Sequence, residues 1–90
     1  MVVVYIVIVY DVAQERVAKI CQFLRRYLNW IQNSVFEGDI TESNVEKIKT
    51  GIKTLTNKDK DSVIIYTISN RKLVKRDIIG IEKNMASSII

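Results

Sequence analysis

Few residues in this chain could do chemistry, and their scarcity narrows the choice. No histidine occurs among its 90 residues, which removes Ser-His and Cys-His nucleophilic pairs and most zinc sites. The one cysteine, Cys21, allows no internal disulfide and falls on the apolar stripe of a helical segment, where a buried, inert thiol is expected. Carboxylates remain, and one of them stands apart by what precedes it. Val2 to Tyr10 reads VVVYIVIVY, nine residues that are all β-branched or tyrosine. Such a run fits a strand buried on both faces, and it is too short to cross a bilayer, which takes about 20 residues. Asp11 is therefore the first charge where a central strand leaves the core. A side chain there is held by the sheet yet reaches solvent, so it can hold a metal ion or orient a water. It can also cap the following helix, with Gln14 completing a capping box. Local sequence alone favours the cap.

The other acids offer less. Glu15 is spaced to pair with Lys19 on a helix face. Glu37 and Asp39 stand near a turn, and Asp59 and Asp61 lie in a lysine-rich loop, so each reads as a solvated surface charge. Fourteen basic against ten acidic residues give a net charge of +4, which is compatible with nucleic acid without requiring it. Arg16, Lys19, Arg25 and Arg26 can share the polar side of the first helix, and Arg71, Lys72, Lys75 and Arg76 cluster in one short segment. Lys47, Lys49 and Lys53 read as a solvated helix face. There is no aromatic-glycine signature of an RNA recognition motif and no phosphate-cradling glycine loop, so any recognition should be of backbone and shape.

The elements that must position these groups follow from pattern. After the first strand, a helix is expected from about Ala13 to Leu28, with Val17, Ile20, Cys21, Leu24 and Leu28 on one stripe. Asn29 to Ile40 reads as one irregular strand or two short strands about a tight turn, ended by Gly38-Asp39. A second helix opens at Ser43-Asn44-Val45-Glu46 and buries Val45, Ile48, Ile52 and Leu55. Gly51 inside it costs roughly 1 kcal/mol relative to alanine, which suggests close backbone packing. Asn57 to Asp61 is a loop, Ser62 to Ile68 a strand and Ile78 to Ile81 a short further strand. The order suggests a single domain, residues 1–90, with helices on one face of a mixed sheet. The apolar amino terminus lacks the basic region and cleavage site of a signal peptide, so a cytoplasmic protein is expected. A domain this small buries only about 60–65% of its unfolded surface and gains much from a partner subunit.

Tyr10-Asp11-Val12 after the apolar strand, Arg16 in the next helix, then Gln32-Asn33-Ser34-Val35-Phe36-Glu37-Gly38 resemble the Cas-two (Cas2) family of CRISPR adaptation proteins. The similarity continues through Asp61-Ser62-Val63-Ile64-Ile65-Tyr66 and Ile79-Gly80-Ile81. The resemblance implies an α+β, ferredoxin-like βαββαβ sandwich with Asn29 to Ile40 as two strands. It implies a homodimer in which a C-terminal strand, here Ile78 to Ile81, joins the partner's sheet. It also implies that Asp11 is the catalytic and metal-binding residue of a magnesium-dependent endonuclease acting on RNA or DNA. The symmetry mate would supply a second carboxylate. That arrangement answers a chemical need, because magnesium takes six oxygen ligands, commonly with one or two carboxylates, and a two-fold axis presents the same patch twice. The family also implies a role bridging the Cas-one (Cas1) integrase on DNA.

One residue departs from the family's pattern. Many members carry an arginine two residues before the glutamine of the Q-x-S-V-F segment, where this chain has Trp30. Its role would be unfilled or moved to Arg16, Arg25 or Arg26. Trp30 reads as a packing residue at a strand start, and Phe36 as core or interface. A ferredoxin-like dimer that binds a small regulatory ligand is the alternative, and the lack of a glycine-rich ligand loop counts against it.

Overall fold

The computed structural model describes residues 2–70 and 73–82, with Asn70 and Leu73 as backbone only. The apolar run forms β1 (Val3–Asp11), and helix α1 (Gln14–Leu24) follows. Strands β2 (Asn29–Gln32) and β3 (Val35–Thr41) come next, then helix α2 (Glu42–Leu55), β4 (Ser62–Asn70) and β5 (Leu73–Gly80). The sheet order is β2-β3-β1-β4-β5, and every neighbouring pair is antiparallel. The first six elements thus make the expected ferredoxin-like βαββαβ arrangement, with β1 at the centre and β5 as the added strand.

Burial along β1 alternates, where burial on both faces is expected from its sequence. Val4, Ile6, Ile8 and Tyr10 are buried against Ile20 and Leu24 of α1 and Val45, Ile48 and Ile52 of α2. Tyr5, Val7 and Val9 point to the opposite face and stay half-buried. Both helices lie on one side of the sheet, and among the described residues no element covers the second face, where β-branched residues predominate. Ile64, in register with Val9 and Ile78, and Ser62, in register with Asp11, are fully buried on that face.

Several boundaries differ from those read in the sequence. Helix α1 stops at Leu24, and residues 25–28 continue as tight turns in which Arg26 and Tyr27 donate to Phe23 and Leu24. Leu28 is buried nonetheless. Helix α2 begins at Glu42, because Thr41 Oγ1 accepts the Asn44 N–H at 3.3 Å and takes the capping role expected of Ser43. The β2–β3 turn falls at Asn33-Ser34, with Asn33 at a positive φ of 43°, a conformation asparagine tolerates. Gly38-Asp39 does not end the strand. Gly38 lies inside β3 beneath Leu28, whose Cδ2 would stand 3.3 Å from a Cβ there. The segment expected as Ile78 to Ile81 starts earlier, at Leu73, and pairs along one edge with β4 of its own chain.

Gly51 does mark close packing. A Cβ there would overlap the Phe23 ring, which sits end-on over the α2 backbone. Alanine is favoured over glycine in a helix by about 1 kcal/mol, so the two effects oppose each other. We expect Gly51→Ala to destabilise the native protein but to stabilise a Phe23→Ala background by about 1 kcal/mol. Urea midpoints for the four-protein cycle check this. A stabilising effect in both backgrounds would mean the ring yields freely.

Candidate active site at the end of the central strand

Asp11 is the last residue of β1 and is exposed. Its Cα partner across the ladder is Ser62, the first residue of β4. One residue earlier, the Tyr10 N–H donates to the Ser34 carbonyl at 3.1 Å, which joins the strand end to the β2–β3 turn. Asp11 is not the helix cap. That position belongs to Ala13, whose side chain caps nothing. Strand pairing extends through Asp11, and the helix starts two residues later than the capping reading requires, with Ala13 in the cap position.

A different aspartate performs the equivalent task. Asp61 is 1% exposed, not the solvated loop charge expected from its neighbours. Its Oδ1 accepts the Ala13 N–H and Arg16 Nη2, each at 3.0 Å. Its Oδ2 accepts Arg16 Nε at 2.5 Å and the Asn57 N–H at 2.8 Å. Its backbone carbonyl accepts the Ile81 N–H at 2.9 Å. Gly80 adopts φ +92°, and a Cβ there would overlap that same carbonyl, so glycine is required. The Arg16 guanidinium holds the Asp61 carboxyl well below the usual carboxylate range, and the Asn57 and Ala13 N–H groups add to this against the opposing effect of burial. Lys58, Asp59 and Lys60 disguise the residue. The signal that singles out Asp11, a charge at the border of an apolar strand, applies equally to Asp61.

Arg16 is correspondingly committed to the fold. Its Nη1 reaches Glu15 at 3.4 Å, so Glu15 pairs with Arg16 rather than with Lys19, and the Arg16 guanidinium already meets two carboxylates. Tyr10 is buried, with its ring stacked on Phe36 at 6.1 Å and its hydroxyl 2.9 Å from Cys21 Sγ. Burial first, and then Cys21, push the phenol far above its ordinary range, so it stays neutral. Phe36 is core, as expected.

The remaining basic candidates divide. Lys19, Arg25 and Arg26 are exposed along and just beyond α1. Lys19 and Arg26 border a cavity of about 270 Å³ with Gln22, Phe23 and Leu55. Lys75 and Arg76 are consecutive in β5 and so face opposite sides of the sheet. Lys75 pairs in register with Thr67, while Arg76 pairs with Tyr66 and reaches Glu82 at 3.2 Å. They do not form one cluster, and Arg71 and Lys72 lie outside the described residues. Glu37 and Asp39 sit within β3 rather than near a turn, on the face without helices. A hydrogen bond to Glu37 helps push the Tyr5 phenol up to about 12. Trp30 is 51% exposed on edge strand β2 instead of packed. Its indole N–H braces the turn by donating to the Asn33 carbonyl at 3.0 Å.

Among the described residues no three His, Cys, Asp or Glu side chains gather where they could hold a metal ion. One chain thus brings Asp11 as a single exposed carboxylate. That suits magnesium as half of a two-carboxylate anchor with water completing the shell. Also among the described residues, no helix is long and apolar enough to cross a membrane.

The fold and this corner define a ferredoxin-like α+β domain whose central strand presents one carboxylate. Residues 4–76 match the family model described as CRISPR associated protein Cas2, and the chain belongs to that family. It is 52% identical over 86 residues to a protein of Methanocaldococcus jannaschii, covering 96% of this chain and 75% of that one. It is also 52% identical to one of Pyrococcus furiosus, covering 96% and 99%. Both relatives are named CRISPR-associated endoribonuclease Cas2. A crystal structure of a Cas2 superposes with a TM-score of 0.72 at 34% identity, covering 91% of this chain and 92% of that one.

Proposed function

We propose that this chain is a CRISPR adaptation protein that acts as a cytoplasmic homodimer, cleaves phosphodiester bonds with magnesium, and bridges the Cas1 integrase on DNA. The observation that carries the reading is Asp11, an exposed carboxylate at the end of a strand that β3 pairs as far as Val9 and β4 as far as Asp11. The names of the relatives support RNA as a substrate. The sheet face that no helix among the described residues covers, with Tyr5, Val7 and Val9 half-buried around Ile64, supports a second copy packing there. A two-fold axis near Asp11 would bring two carboxylates to one ion. Bound there, magnesium would activate a water and offset charge on the attacked phosphate. The chain's own part is to hold the carboxylate still and to grip the backbone of the substrate through Lys19, Arg25, Arg26, Lys75 and Arg76. No histidine is present to move protons, so cleavage should be slow.

The test is cleavage of single-stranded RNA and of duplex DNA by preparations freed of contaminating nuclease, with magnesium or with chelator. Slow, chelator-sensitive cleavage is expected. Its absence on both substrates would leave only the bridging role. Nucleic-acid affinity should fall steeply with salt, because released counterions drive binding. For duplex DNA, Arg25→Ala with Arg26→Ala should reduce the slope of log K against log salt by roughly 0.9 for each phosphate that is no longer neutralised. An unchanged slope would move the footprint to Lys75 and Arg76.

A further inference from the structure

Beyond Asp11 the chain leaves the sheet, and residues 12 and 13 belong neither to β1 nor to α1. A carboxylate on the last residue of a strand is only as well placed as the link that follows it. Here that link is gripped from one place. Ser62 is the ladder partner of Asp11, and its neighbour Asp61 accepts the Ala13 N–H. One dipeptide at the start of β4 therefore holds the chain on both sides of residue 12. Arg16 closes the arrangement from the first turn of α1 with two bonds to the same carboxylate. The loop before β4 is tied in through Asn57 and the end of β5 through Ile81.

Stability alone is a poor reason for this construction. Replacing a buried ion pair with well-packed apolar residues is often neutral or stabilising, because desolvation offsets the attraction between the charges. A bidentate pair does supply a single orientation. The geometry points to Asp61 as a positioning residue for the reaction: through Ala13 and Arg16 it fixes the direction in which Asp11 presents its carboxylate. This rests on the reading of Asp11 as the catalytic carboxylate. Asp61 is buried away from any substrate, and its effect reaches the reaction through the Ala13 backbone and Arg16.

Arg16→Lys and Asp61→Asn test the inference, with Asp11→Asn beside them. Arg16→Lys keeps a cation against Asp61 but cannot donate to both carboxylate oxygens in the same fixed fork, so it stays informative if Asp61→Asn does not fold. The measurements are kcat and KM for RNA cleavage per folded dimer, RNA affinity across salt, and Mn2+ binding followed by electron paramagnetic resonance without substrate. Partners of a metal ligand typically change metal affinity or activity by about 10–100-fold. We expect a loss of that size in kcat, weaker Mn2+ binding, and RNA affinity within about twofold of wild type. Unchanged kcat and Mn2+ binding with a lower melting temperature would make Asp61 only a helix cap and overturn the inference. A changed salt slope with kcat intact would do the same, since Arg16 would then be a phosphate ligand. If Asp11→Asn keeps both cleavage and Mn2+ binding, the site reading fails and the inference falls with it. If Asp11→Asn loses both and Arg16→Lys loses neither, the inference alone is wrong.

Discussion

Asp11→Asn will keep the fold and the affinity for nucleic acid and will lose magnesium-stimulated cleavage, by at least about 100-fold on the scale of 10²–10⁴ typical of a removed catalytic group. The substitution is nearly isosteric, and it replaces an anionic oxygen with a neutral, weaker donor. Had Asp11 been a helix cap, asparagine would have served as well. The position of Ala13 as N-cap removes that explanation for a silent result. Circular dichroism, light scattering and cleavage with and without chelator decide the matter together. An asparagine variant that cleaves like wild type would leave the chain a scaffold for the integrase, with no nuclease centre at this strand end.

The second large effect belongs to Asp61. Removing one member of a buried ion pair costs roughly 3–5 kcal/mol, and Asp61→Ala also leaves the Ala13 and Asn57 N–H groups without their acceptor. Domains of this size have about 5–15 kcal/mol in all, so this variant should be largely unfolded at modest urea. Acid provides an independent check. The carboxyl of Asp61 lies below its usual range in the folded protein because Arg16 donates to it, whereas in the unfolded chain it titrates near pH 3.9. Its contribution is therefore complete above about pH 5 and is lost as pH falls from there through the folded value. Urea midpoints of the native protein should drop over that window. Those of Asp61→Asn should start lower and fall less steeply. Equal slopes would show that other carboxylates govern acid unfolding.

The central features are legible in the sequence because they depend on local pattern. The nine apolar residues before Asp11 fit a strand, although one of its faces is only half-buried, and the stripe Val45, Ile48, Ile52 places α2 on the core. What stays hidden depends on residues far apart in the chain. Asp61 and Ala13 are 48 positions apart, and nothing around either announces the other. The same holds for Gly38, which looks like a turn residue until Leu28 is seen to cross it. Strand β5 reads as shorter than it is because Lys75, Arg76 and Asp77 interrupt its apolar residues, although their alternation across two faces is normal for an edge strand. The same alternation sends Lys75 and Arg76 to opposite faces of the sheet.

The placement of β1 in the middle of the sheet also governs how the chain must behave while it is being made. Its partners are β3, complete at Thr41, and β4, complete at Asn70. At synthesis rates of about 5–20 residues per second, roughly 3–12 seconds pass between the appearance of Asp11 and that of Asn70. Throughout that interval an uncharged, proline-free run of β-formers lacks at least one flanking strand. Such segments are the ones prone to pair with copies of themselves. Chains made close together, as in strong overexpression, should therefore lose material to aggregates through this stretch before β4 can occupy its edge. The strand that carries the carboxylate in the finished protein is the one left waiting longest in the unfinished chain.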